Sequence, residues 1–197
     1  GYNLPKAAIG EMHGVQHMAK VATAKTDAGL PDVQSAFTPA EIQGVARKVL
    51  ERCDSLDGLA DGIVSDVKAC QARFRLATDM PTCAAGSTAR DGSCLSAPQK
   101  DALAALFAGP RNGAGQALYS TFPFDGGIGG ANWREWKFIN AQTLDPAASA
   151  FVFSTPPLND RPGGLAYALA FDLDRDAPRI FATGGAFAES SISFMTP

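Results

Sequence analysis

The sequence predicts a mostly α-helical fold with irregular loops and a small β element. Apolar residues recur at helical spacing over residues 6–25, which indicates a helix with one buried face. Two later segments each begin with a capping box, a signature of a helix start. Much of the remaining chain is rich in glycine and proline, with 20 and 13 of them overall, which predicts loops between short elements.

The first predicted helix spans residues 6–25. Its apolar face is formed by Met12, Val15, Met18, Ala19 and Ala22. The second begins at the capping box Thr38-Pro39-Ala40-Glu41 and runs to about Arg52. Its inward-facing residues are Ile42, Val45 and Val49. Residues 53–70 then form an acidic loop, and residues 71–94 are predicted to be irregular.

The third helix begins at Ser96-Ala97-Pro98-Gln99 and ends at Gly109-Pro110, with Leu103, Leu106 and Phe107 facing inward. Residues 110–164 show no sustained period. Short strands or turns are predicted near 118–122 and 151–154, and a further helix near 165–172. The tail from residue 180 onward is apolar and interrupted by glycines.

Length and charge exclude several classes of protein. A chain of 197 residues fits one domain, or one with a small subdomain. With 17 basic and 20 acidic residues the net charge is −3, which argues against a nucleic-acid-binding surface. No apolar run approaches the ~20 residues of a membrane span, and no signal peptide opens the chain. We expect neither a nucleic-acid nor a membrane partner, and the first residues look like a cut inside a longer protein.

Four cysteines, at positions 53, 70, 83 and 94, allow three disulfide pairings. None forms a CxxC and no histidine lies near them, so a zinc or redox site is not expected. Two structural disulfides indicate an oxidising compartment, so the chain is expected to be secreted or periplasmic. Four buried free thiols in a cytosolic protein remain the alternative.

The loop that begins at Cys53 concentrates carboxylates at Asp54, Asp57 and Asp61. Calcium takes six to eight oxygen ligands from carboxylates and backbone carbonyls, and Leu59 and Ile63 could supply carbonyls. Glycines at 58 and 62 allow tight folding around an ion. The spacing is not that of an EF-hand. The alternative is a solvated acidic turn whose aspartates act as caps.

Hydrolytic motifs are missing from the sequence. There is no G-x-S-x-G nucleophile motif, and His13 and His17 are the chain's two histidines. Their i, i+4 spacing on a predicted helix could chelate a metal, but no third ligand is evident. Ordinary surface histidines are the alternative. The glycine-rich residues 126–130 have no following Lys-Ser/Thr and are interpreted as a flexible turn.

Six stretches from about residue 38 onward form a distinctive set. In chain order they are CDSLDGLADGIVSD with Cys70, CLSAPQKDALAALFAGPRN, LYSTFPFDGG, NWREWK, FVFSTPP and FDLDRDAPRIFATGGAFAESSISFMTP. Taken together, these stretches resemble the tannase and feruloyl esterase family, which includes enzymes that hydrolyse mono(2-hydroxyethyl) terephthalate. In that family an α/β-hydrolase domain carries a Ser-His-Asp triad, and a large lid is inserted between the segments that bear the triad. The resemblance implies that residues 1–197 are such a lid, excised at both ends.

The resemblance also implies functional residues. It implies calcium at Asp54, Asp57, Leu59, Asp61 and Ile63, and the disulfides Cys53–Cys70 and Cys83–Cys94. The family's nucleophile motif, catalytic Asp and catalytic His have no counterpart here, so this chain alone is not expected to be catalytic. Its role would be to bind the aromatic acyl part of an ester, with the α/β-hydrolase domain of the same polypeptide as partner.

Substrate contacts are expected among the aromatics of the glycine-rich half. Trp133, Trp136, Phe151 and Phe153 are the candidates, and Ser154 could donate a hydrogen bond to an ester or carboxylate oxygen. By resemblance, substrate-binding residues lie between 136 and 154, which selects Trp136, Phe153 and Ser154. The alternative is that these rings fill the lid's own core. Two other functions stay open: a free-standing calcium-binding module without a catalytic partner, and a metal enzyme using His13 and His17.

Overall fold

Short helices joined by loops make up the part of the chain that the computed structural model describes, residues 4–118, 124, 126–143, 146 and 164–178. The α-helices are α1 (Leu4–Ala19), α2 (Pro39–Cys53), α3 (Val67–Arg73), α4 (Leu76–Asp79), α5 (Ala97–Ala108), α6 (Ala131–Arg134) and α7 (Gly164–Ala170). Single 3-10 turns lie at Val33–Ser35, Asp54–Asp57, Gly126–Gly129 and Asn140–Gln142, and a π-helix spans Glu135–Ile139. The prediction of a mostly helical fold is confirmed.

Both capping boxes form as predicted. The Glu41 N–H donates to the Thr38 hydroxyl at 3.1 Å, and the Glu41 carboxylate accepts from the Thr38 N–H at 2.7 Å. Ser96 and Gln99 make the same reciprocal pair at the start of α5. Gly109, with φ of 77°, ends α5 in a backbone conformation that side-chain-bearing residues rarely adopt.

Helix α1 ends at Ala19, six residues before the predicted end at residue 25. The N–H groups of Thr23 and Ala24 both donate to the Ser35 hydroxyl, at 2.9 and 3.0 Å. Hydrogen bonds of this kind compete with helical ones, so the chain turns here instead of continuing as a helix. The predicted apolar face holds where the helix is present, since Met12, Val15 and Met18 are buried.

Residues 131–142 form one helical segment that the sequence did not predict, running from α6 through the π-helix to the 3-10 turn. Glycines precede the segment, and its apolar residues do not follow a regular helical period. Phe138, fully buried against Phe37 at a ring distance of 6.3 Å, anchors the segment in the core. Tertiary packing therefore specifies this element more than local propensity does.

The core lies between α1, α2 and α5. Helix α1 packs against α5, α7 and the 3-10 turn at residues 140–142, while α2 packs against α3 and the turn Gly126–Gly129. The approach of the glycine turn to α2 is close, because a Cβ built on Gly129 would lie 2.9 Å from the Ala46 Cβ. The turn expected to be flexible is thus a packing element of the core.

Within the described residues, β pairing is limited to three isolated bridges, Lys25–Pro31, Thr82–Leu95 and Arg111–Ala117. The strands or turns expected near 118–122 and 151–154 lie outside the described residues, apart from Leu118, as does the tail from residue 180. The helix predicted over 165–172 is present as Gly164–Ala170. No described helix is long and apolar enough to span a bilayer.

Candidate functional site

The acidic loop is closed at its base by the Cys53–Cys70 disulfide, which joins the end of α2 to the middle of α3 with a Cα–Cα distance of 5.1 Å. Both cysteines are buried, so the loop begins and ends in the core. The second disulfide, Cys83–Cys94, links the two ends of the irregular segment before α5. These are the two pairings that the family resemblance implied.

Three carboxylates hold the loop's backbone together. Asp54 Oδ1 accepts from the N–H groups of residues 61 and 62, at 3.2 and 2.8 Å. Asp57 accepts from the N–H groups of residues 59 and 65, at 2.9 and 3.3 Å, and Asp61 from that of residue 63 at 3.0 Å. Gly58 and Gly62, with φ of 95° and 82°, make the tight turns between them.

Asp57 and Asp61 are exposed to solvent, and Asp54 is partly buried. The N–H of Leu59 is the largest cause that lowers the pKa of Asp57, with further hydrogen bonds at Ser65. No ion pair involves Asp54, Asp57 or Asp61 within the described part of the chain. The fourth aspartate, Asp66, instead caps α3 by accepting from the Ala69 N–H at 2.8 Å. Three unneutralised negative charges therefore share one short loop.

The donor set of this loop fits a hard cation. Carboxylates at 54, 57 and 61 and backbone carbonyls at 59 and 63 are the oxygen ligands that calcium prefers. The side chains of Leu59 and Ile63, 63% and 58% exposed, show that this part of the loop is reachable from solvent. The described residues hold no group of three or more His, Cys, Asp or Glu side chains placed to bind one metal ion, so the three carboxylates of this loop do not by themselves form a metal site.

The structure separates the two tryptophans that the sequence could not distinguish. Trp133 lies parallel to Phe107 at 6.2 Å and edge-on to Phe138 at 5.8 Å, so it is partly buried and packs against the core. Trp136, on the π-helix, is 50% exposed. It therefore offers an aromatic surface to a binding partner or ligand, whereas Trp133 holds the segment in place.

Phe153 and Ser154, the other two predicted substrate contacts, lie outside the described residues, as does Phe151. Trp136 is the member of the predicted substrate-binding set that the structure describes.

His13 and His17 lie side by side on α1, with ring centroids 4.5 Å apart. The expectation of ordinary surface histidines is wrong for His13, which is 8% exposed. Burial, with smaller contributions from His17 and Lys20, lowers the pKa of His13 to about 4. Burial and Lys20 lower the pKa of His17 as well. Both rings are therefore neutral at pH 7.

Sequence reasoning missed a buried polar cluster next to α2, formed by Glu41, Arg90 and Gln99. It also missed Lys100, whose ammonium donates to the carbonyls of Ala77 and Met80 at 2.6 and 2.8 Å. Arg90 lies in a segment without periodicity, so no local pattern could have marked it. Both groups stabilise the fold around the loops; neither lies in the acidic loop or beside Trp136.

The family of the chain follows from sequence comparison. The family model for tannase and feruloyl esterase matches residues 11–162. The chain belongs to the tannase and feruloyl esterase family. Mono(2-hydroxyethyl) terephthalate hydrolase of Piscinibacter sakaiensis is 35% identical over 222 residues, which cover 98% of this chain and 36% of that protein. A probable feruloyl esterase B-1 of Aspergillus fumigatus is 30% identical over 131 residues, covering 59% of this chain and 24% of that protein.

A solved structure shares the fold. Feruloyl esterase B from Aspergillus oryzae superposes with a TM-score of 0.54 at 21% identity, covering 98% of this chain and 34% of that one. The chain therefore spans about a third of the length of the first relative and of this structure. The resemblance inferred from the sequence motifs is confirmed at the level of the family and of a mostly helical fold.

Proposed function

We propose that this chain is the calcium-stabilised, substrate-binding lid of a serine carboxylic-ester hydrolase acting on aromatic acid esters. The observation that carries the proposal is the coverage of the terephthalate relative, which is named a hydrolase. Nearly all of this chain matches 36% of that relative, which leaves room for a separate α/β-hydrolase domain in the same polypeptide. Membership of the tannase and feruloyl esterase family supports the same reaction class.

The reaction would divide between the two domains. Acyl transfer to serine and then to water requires a nucleophile, a general base and oxyanion donors. The chain has no G-x-S-x-G motif, and both of its histidines lie on α1. The catalytic domain would therefore supply the triad, and the lid would bind and orient the acyl group.

Trp136 is proposed as a contact for the aromatic acyl group. Its ring is half exposed on the surface of a segment whose other aromatics, Trp133 and Phe138, are packed inward. Ring contacts of this kind contribute roughly 0.5–1.5 kcal/mol beyond the burial of apolar area. Phe153 is proposed as a second ring contact and Ser154 as a hydrogen-bond donor to a substrate oxygen.

Calcium would be held by the carboxylates of Asp54, Asp57 and Asp61 and the carbonyls of Leu59 and Ile63. Its chemistry here would be structural, because it would neutralise three clustered charges that no described cation offsets. The exposed loop and the two disulfides are consistent with a secreted or periplasmic protein.

The exposed tryptophan gives the sharpest test of substrate binding, using the whole enzyme. Trp136→Ala is expected to raise KM for an aromatic ester, such as methyl ferulate, several-fold more than KM for a small acetate ester. The melting temperature should change little, because the ring is half exposed. Phe153→Ala should likewise raise KM for the aromatic ester more than KM for the acetate ester.

Trp133→Ala serves as the matched control, because this ring is three residues away but packed against Phe107 and Phe138. Trp133→Ala should lower the melting temperature and change the kinetics of the aromatic ester and the acetate ester equally. If Trp136→Ala behaves like Trp133→Ala, then Trp136 is a core residue and the assignment is wrong. A full reading frame without a hydrolase domain would instead favour the free-standing calcium module.

A further inference from the structure

The histidine pair on α1 has no part in the proposed lid function. His13 and His17 line a cavity of about 380 Å³ between α1, the end of α5 and the segment after α7. We call this space the histidine cavity. Its other lining residues are Gln16, Ala105, Ala108, Gly109, Arg111 and Leu173. It is separate from the acidic loop and from Trp136.

One ring nitrogen of His13, a residue that lines this cavity, lacks a protein partner. His13 is 8% exposed, and its Nδ1 makes no hydrogen bond within the described residues. Buried polar atoms without a hydrogen-bond partner are rare in folded proteins, because leaving one unsatisfied is costly. A ligand bound to this nitrogen would satisfy it.

The walls of the cavity are held in place. Gln16, on the same helix, donates to the carbonyls of Ala168 and Phe171 at 2.9 and 2.6 Å. These bonds attach α1 to α7 and to the residue that follows it. The two imidazoles are thus presented from a fixed helix and at a fixed spacing.

We propose that His13 and His17 bind one divalent transition-metal ion of the zinc, nickel and copper class. Imidazoles at i and i+4 on a helix can ligate the same ion, and these two ring centroids lie 4.5 Å apart with the rings edge to face. Imidazole suits these metals, whereas calcium prefers oxygen ligands.

Charged side chains near the two histidines affect which further ligands a bound ion would take. Lys20 follows His17 by three residues, and Arg111 lines the cavity, so both positive charges oppose a bare dication. Asp101 lines the adjoining cavity with His17 and Lys20 and partly offsets them. Two protein ligands leave positions for water or an anion, and the guanidinium favours an anion. The site is therefore expected to bind weakly compared with a complete structural zinc site.

The test follows the imidazole nitrogens by NMR while Zn²⁺ is added to the 197-residue chain at pH 7. Saturating CaCl₂ is present so that the acidic loop does not compete. The chain has two histidines, and its four cysteines are all in disulfides, so the spectra report on these rings and no thiolate binds zinc. Both rings should shift together and saturate at one equivalent of Zn²⁺.

Variants separate this site from adventitious binding. His17→Gln, at a half-buried position, should keep the far-UV spectrum of the fold and weaken Zn²⁺ binding about tenfold or more. His13→Gln should do the same. Because position 13 is buried, this variant could fail to fold, and in that case the His17→Gln result alone tests the proposal. Asp57→Ala should leave Zn²⁺ binding unchanged. Unshifted imidazoles, or equal Zn²⁺ affinity in His17→Gln and the parent chain, would overturn the proposal.

Discussion

At the scale of single residues, the carboxylate of Glu41 connects three segments. It is 1% exposed and accepts from the Arg90 guanidinium at 2.8 and 3.1 Å, from Gln99 at 3.1 Å and from the Thr38 N–H. Burial opposes its charge, but these hydrogen bonds, led by that of Arg90, outweigh burial and lower the pKa of Glu41. The capping residue predicted from the sequence is therefore also the buried member of an ion pair with the partly buried Arg90.

Arg90→Met should lower the free energy of unfolding by about 3–5 kcal/mol, because it leaves the Glu41 carboxylate buried without its cation. Urea denaturation at pH 7 measures this. Lys48→Met is the control, since its ion pair with Glu51 lies on the surface and such pairs contribute at most about 1 kcal/mol. Equal losses in the two variants would show that the Glu41 pair has no special role.

His13 should make stability depend on pH below neutrality. Its pKa is lowered in the folded state to about 4, whereas an unfolded histidine titrates near 6.5. Between these values the unfolded chain binds the proton, so stability falls as pH falls from about 6.5, by at most about 1.4 kcal/mol per pH unit for this group. The contribution of Glu41 is lost only at lower pH, because its pKa is lowered from about 4.3.

Denaturation curves between pH 7 and 5, in the presence of EDTA, check this prediction. His13→Gln should flatten the pH dependence, and His17→Gln, at a less buried position, should flatten it less. A parent chain whose stability does not change between pH 6.5 and 5 would contradict the assignment of a buried neutral His13.

Trp133 and Trp136 show what sequence could not establish at this scale. Their spacing of three suggests a shared face if the turn is an ordinary helix. The structure has a π-helix that begins at Glu135, between the two tryptophans, and Trp133 packs inward while Trp136 is half exposed. The π-helix has more residues per turn than an α-helix, and it accompanies the packing of Phe138 in the core. The local sequence pattern does not indicate such packing.

At the scale of elements, the best predictions rested on caps. Helices α2 and α5 begin where Thr38 and Ser96 indicated, because a capping box satisfies backbone donors with local side chains alone. The end of α1 was predicted wrongly, since it depends on the Ser35 hydroxyl, eleven or more residues away. Hydrogen bonds between neighbouring residues can be predicted from sequence, whereas hydrogen bonds to residues distant in the chain cannot.

Calcium at the acidic loop should raise the melting temperature of the chain. An ion that binds only the folded state adds about 2.7 kcal/mol at a hundredfold excess over its Kd. Melting in CaCl₂ and in EDTA should therefore differ, and Asp57→Ala should abolish the difference. Asp66→Ala is the matched control, because Asp66 caps α3 and is not among the proposed ligands.

Asp66→Ala should lower the melting temperature in both solutions while leaving the calcium effect intact. Identical melting of the parent chain in CaCl₂ and EDTA would count against a calcium site in the loop.

For the molecule as a whole, residue spacing and the family resemblance supported different predictions. Four cysteines allow three pairings, and spacing left the choice open. The family resemblance implied Cys53–Cys70 and Cys83–Cys94, which the structure contains. Neither source marked the ion pair of Arg90 with Glu41 or the cavity beside His13, because both form where segments distant in sequence meet.

The chain in isolation, purified residues 1–197, should not hydrolyse methyl ferulate or p-nitrophenyl esters above a buffer blank. Acyl transfer needs an activated serine and preorganised oxyanion donors, which in such enzymes lie next to the nucleophile. The sequence has no nucleophile motif. The residues that line the histidine cavity include no serine. Removing His17 should therefore change nothing in this assay. Saturable turnover that His13→Ala abolishes would instead establish a metal-dependent enzyme at the histidine cavity and would refute the assignment of catalysis to a separate domain.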